Sequence, residues 1–144
     1  MGRRTTAACA RTALLAMFVG VGVLVADRPA GAEGAMAAAA VASAGLGACS
    51  KDSGKALYGC VADVLDTMSN QISGAEETQR SLRTAASRLR AAVNKVQALS
   101  AITQCRAVVA GALRLALASG RNGKGLGAIA SVLAQAAKLI QARG

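Results

Sequence analysis

The sequence predicts an all-α protein: a small up-down bundle of three or four amphipathic helices after a signal peptide and an Ala-rich leader. Three observations carry this expectation. From residue 53 onward apolar residues recur at three- and four-residue spacing, and no strand pattern or fixed-period repeat is present. Glycines punctuate that pattern at Gly74 and in the run Ser119-Gly120-Arg121-Asn122-Gly123-Lys124-Gly125, which reads as a loop. Alanine fills 36 of 144 positions, so helix seams can close tightly, although each methyl buries little area. A chain of this length allows one domain, here residues 51–144.

Residues 1–32 read as a signal peptide. Arg3, Arg4 and Arg11 stand without an acid before the uncharged run 12–26 (TALLAMFVGVGVLVA). Ala30-Gly31-Ala32 then supplies small residues at the spacing a signal peptidase needs, so cleavage is expected after Ala32. The fifteen-residue run falls short of the roughly 20 residues that span a bilayer, and an uncleaved anchor is the alternative. No later segment reads as a second span. The expected location is secreted, cell-surface or periplasmic, with thirteen bases and six acids left in the cleaved chain.

Residues 33–50 (EGAMAAAAVASAGLGACS) form a low-complexity leader, expected to be flexible or a nascent helix of poor order. Within it Leu46-Gly47-Ala48-Cys49 resembles the lipobox of bacterial lipoproteins, which implies lipidation of Cys49 and a lipid-anchored surface protein. Pro29 and a long Ala-rich stretch separate that motif from the apolar run, a departure from the lipobox pattern.

The first bundle helix follows from Leu57, Val61, Val64, Leu65, Met68 and Ile72, one apolar face that also holds Cys60. Ser53 can cap its start and Gly74 can end it. The next helix starts at Ala75. Leu82, Ala86, Leu89, Val93 and Val96 make a heptad-like seam, and Glu76 and Glu77 suit the positive end of the helix dipole. Ile102, Cys105, Val109, Leu113 and Ala116 form a third stripe, almost opposite in phase to the second. A straight helix cannot aim both at one core, so a break is expected near Ser100, with Ser100 as the cap. Leu126, Ile129, Leu133, Ala136 and Ile140 mark the last helix.

Cys9 leaves with the signal, and export favours a disulfide among Cys49, Cys60 and Cys105. Cys60–Cys105 is the expected pair, since both lie on apolar helix faces. No C-x-x-C pair and no His is present, so no metal or other cofactor is expected.

Charge points to partners more than to chemistry. Residues 33–77 carry two bases and six acids, whereas residues 78–144 carry eleven bases and no acid. The acidic helix can lie against the basic one, and solvated faces are the ordinary explanation of such runs. The functional alternative is a face of Arg80, Arg83, Arg88, Arg90 and Lys95 that attracts an anionic polymer, anionic lipid or acidic protein surface. Sequence-specific nucleic-acid binding is not expected, because no such motif and almost no aromatic residue is present. With no His to serve as base and no G-x-S-x-G, the chain does not read as an enzyme. Asp63 and Asp66 share a face but read as solvated acids. The resulting expectation is a secreted or cell-surface, non-enzymatic interaction protein, with a homodimer possible through the heptad seam. A cationic membrane-active protein is the alternative, using the acid-free amphipathic segment 121–144.

Overall fold

The apolar stripes become four helices that bury them together, and the alanine-rich segment becomes a fifth. A computed structural model of the chain describes residues 30–144. Its elements are α1 (Ala30–Cys49), α2 (Gly54–Gln71), α3 (Glu76–Ala91), α4 (Lys95–Ala118) and α5 (Lys124–Arg143). Among the described residues there is no strand. Helices α2 to α5 run up and down, each packed on the next, and α1 lies against both α2 and α5. The expected bundle is therefore present, with α1 closing the ring between its first and last members.

The core contains the residues the stripes single out. Leu57, Val61 and Leu65 of α2, Leu82 and Leu89 of α3, Ile102 and Val109 of α4, and Ile129, Leu133 and Ile140 of α5 are all fully buried. Val64 and Leu113 are only half-buried.

Helix α1 corrects two expectations, the poor order of residues 33–50 and the count of three or four helices. Ala35, Ala38, Ala39, Ala42, Leu46 and Cys49 are buried at helical spacing along one face. Alanine is the best helix former, so the segment needs no large side chains to be helical. Its small residues then let neighbours approach. A Cβ added at Gly45 would stand 2.9 Å from Val64 Cγ2, and one at Gly125 of α5 would stand 2.7 Å from Ala35 Cβ. The methyl groups that hide the amphipathic signal are what make the fit.

The break in the second half is real, but it lies at residues 92–94 and not near Ser100. Asn94 caps α4, its side chain accepting from Gln97 N at 2.9 Å, while Gln97 Oε1 accepts from Val93 N at 3.0 Å. This reciprocal arrangement satisfies amides that the turn would leave bare. Ser100 is one and a half turns inside α4, where its hydroxyl accepts from Gln104 at 3.2 Å. Val93 and Val96, expected on the seam, are therefore 73% and 76% exposed. Leu82, Ala86 and Leu89 are buried within the chain, so the seam is not left free for a second copy.

The expectation of no second span is also corrected. By length and composition alone, Gly31–Cys49, Lys95–Ala118 and Lys124–Arg143 are long and apolar enough to cross a membrane. Alanine supplies much of that hydropathy, and in the bundle each of these helices buries its stripe against neighbours.

Candidate functional site

Helix α3 holds the charge that the sequence singles out. On a helix, residues 80, 83, 84, 87 and 88 share one side, and here that side faces outward along an open trough of about 650 Å³. Arg80, Arg83 and Arg88 line it, with Thr84 and Ser87 between them and Glu76 at one end. Arg88 donates to Gln104 Oε1 on α4, and Arg83 donates to Asn70 Oδ1 on α2 at 3.5 Å. Among the described residues none of these three arginines forms a salt bridge.

Two members of the expected face do other work. Arg90 Nη2 contacts Asp63 Oδ1 at 2.8 Å and Asp66 Oδ2 at 2.6 Å. Asp63 and Asp66 thus clamp α3 to α2, and are not merely solvated acids. Their hydrogen bonds, Asp63 first, hold the Arg90 guanidinium above its ordinary pKa. Lys95 stands at the start of α4, where its ammonium donates to the Gln141 carbonyl near the end of α5 at 3.0 Å. The five-cation face is corrected to three, because the turn at 92–94 removes Lys95 and the acids of α2 engage Arg90.

The cysteine pairing is corrected as well. Cys49 is bonded to Cys60, with Cα atoms 5.7 Å apart, joining the end of α1 to α2. Cys105 is a buried free thiol. Helix α3 lies between α2 and α4, so the apolar faces holding Cys60 and Cys105 meet different neighbours. Burial pushes the Cys105 thiol pKa up, against a smaller opposing effect of its hydrogen bond with Ser81. Lipidation at Cys49 is not compatible with this arrangement, since that sulfur is bonded and its residue is fully buried.

The signal-peptide reading of residues 1–29 lies outside the described residues. Of the cleavage residues, Ala30 opens α1 and Ala32 lies in its first turn. Removal of residues 1–32 would keep the buried α1 positions, which begin at Ala35.

One feature escapes any reading of single helices. The starts of α1, α3 and α5 and the ends of α2 and α4 gather at one pole around a cavity of about 570 Å³. Ile72, Leu126 and Ile129 contribute its apolar lining, and Glu76, Glu77, Arg121 and Asn122 its polar groups. Leu115, which also lines it, and Leu117 are 64% and 61% exposed. Leu115 and Leu117, which lie outside the stripe of Ile102, Cys105, Val109, Leu113 and Ala116, are the trace of this pole in the sequence. Among the described residues no three His, Cys, Asp or Glu side chains come together to hold a metal. No protein-family model, curated protein or solved structure matches this chain.

Proposed function

We propose that this chain is an exported, non-enzymatic helical protein that binds a sulfated or phosphorylated polymer along α3. The observation that supports the reading is the set of Arg80, Arg83 and Arg88, which line one trough and form no salt bridge among the described residues. Arginine forks suit oxyanions, since a planar guanidinium can donate two parallel hydrogen bonds. Thr84 and Ser87 add neutral hydroxyl donors between the charges. Arg90, engaged by Asp63 and Asp66 of α2 near the end of α3, leaves the three remaining arginines to face the trough. Export rests on the charge, length and A-x-A spacing of residues 1–32.

The test is retention on a dextran-sulfate column, read as the salt needed for elution. The triple substitution Arg80→Gln, Arg83→Gln and Arg88→Gln is expected to lower that salt sharply. A triple substitution of Arg106, Lys138 and Arg143 removes equal charge and is expected to lower it less. Equal effects would reduce the reading to net charge alone. An intact mass beginning at Glu33 is the matching result for export, and one beginning at Met1 is the opposing result.

The membrane-active alternative has less support. The apolar stripe of α5 that would meet lipid includes Ile129, Val132, Leu133, Ala136 and Ile140, all buried in the bundle. Insertion would require α5 to leave its packing against α1, α4 and α2.

A further inference from the structure

We infer that the pole where α4 ends and α5 begins is a docking surface for an anionic lipid bilayer. The surface is separate from the trough on α3 and does not depend on the polymer reading. Helix α4 has 24 residues and α3 has 16, and a three-residue turn joins them. The surplus of eight residues, about 12 Å of helix, therefore lies at the far end of α4. There Ala116 faces the core, while Leu115 and Leu117 flank it and stand 64% and 61% exposed. Arg114 precedes the two leucines on α4, Arg121 and Lys124 follow them in the turn and at the start of α5, and all three are exposed. No acid occurs in the sequence after Glu77. Glu76 and Glu77 at the start of α3 are the acids that line the adjoining cavity.

Two exposed leucines and three exposed cations at one pole match the chemistry of an anionic leaflet. Leucine side chains enter the acyl boundary, and basic groups remain among the headgroups. Chain geometry selects the bilayer over another protein. The apolar run 12–26 ends four residues before Ala30, where α1 begins. Four residues reach at most about 14 Å. Any bilayer that holds this run, during export or afterwards, is therefore within about 14 Å of Ala30. Gly31 and Ala32 of α1 line the same cavity as Leu115, Ala116 and Arg121. While it is attached, the run thus holds this pole, and not the opposite one, near the membrane surface.

The chain has no Trp, so one introduced Trp reports its own position. Full-length Leu117→Trp and Val96→Trp place that probe at exposed sites on the two opposite poles. Each is mixed with vesicles of phosphatidylglycerol and phosphatidylcholine carrying brominated acyl chains. Quenching is expected for Leu117→Trp in anionic vesicles and not for Val96→Trp. Adding Arg114→Gln and Arg121→Gln to Leu117→Trp should weaken binding by at least about tenfold, since each cation near such a surface contributes about fivefold. Equal quenching at both poles, no quenching at Leu117→Trp, or equal quenching in purely zwitterionic vesicles would each overturn the proposal. The dextran-sulfate result on the α3 arginines is independent of all three outcomes.

Discussion

Helices α1 and α3 bury one face each into the same core, yet they are built by different means. Helix α3 uses Leu82 and Leu89, fully buried, with arginines along its outer side. Helix α1 uses four alanines, Leu46 and Cys49, with more alanine, Met36 and Val41 outside. The first is held by large apolar side chains. The second is held by close approach and one covalent bond. Contrast between faces makes a helix legible in sequence, whereas burial makes it stable, and α1 has the second without the first.

Three measurements break or sharpen that comparison. Leu82→Ala removes a large, fully buried side chain from α3 and should cost about 3 kcal/mol, read by chemical denaturation. A loss under about 1 kcal/mol would mean that α3 is held by its charges instead. Removing the α1 bond, through Cys49→Ser with Cys60→Ser, should cost about 2.8 kcal/mol for a loop of eleven residues. Hydrogen exchange should then show α1 opening ahead of the other helices. Simultaneous opening of all five would make α1 as firmly held as α3.

The smallest effect is the most discriminating, because it turns on sign. Helix propensity favours Ala over Gly by up to about 1 kcal/mol. At Gly127 nothing lies within 4 Å of an added Cβ, so Gly127→Ala should stabilise. At Gly125 the added atom meets Ala35 Cβ at 2.7 Å and the Ala32 carbonyl at 3.1 Å, so Gly125→Ala should destabilise. Equal stabilisation at both sites, by thermal melting, would mean that α1 does not sit against α5.

The same contrast explains what could be read from the residues. Leu57, Leu65, Leu89, Ile102, Ile129 and Leu133 mark their own faces, so α2 to α5 are legible, except for the place of the turn between α3 and α4. Helix α1 is not, because alanine is both the packing residue and the solvent residue. That gap carried over to the disulfide. Of the three possible pairings, the stripes favour Cys60 with Cys105, because both show on apolar helix faces and Cys49 lies in a segment with no visible face. The turn at 92–94 has neither Gly nor Pro, but Asn94 followed by Gln97 carries the signal of a reciprocal cap. Arg90 and Arg80 look alike along α3. Only the approach of Asp63 and Asp66 from α2 separates the clamped cation from the unpaired one. The leucines of the α4 pole belong to no stripe, and their exposure follows from the unequal lengths of α3 and α4.

Five helices in a closed up-down ring have an odd parity, so the first and last run in the same direction. Ala30 therefore sits at one pole, and Gly144 sits at the other, near Tyr58. A 20-residue helix separates these points by about 30 Å. Tension applied between them does not peel one helix from another turn by turn. It slides α1 along α5, loading the whole Ala32–Ala35–Gly125 seam at once. The bond between Cys49 and Cys60 passes part of that load to α2, giving the molecule the geometry of a short strut.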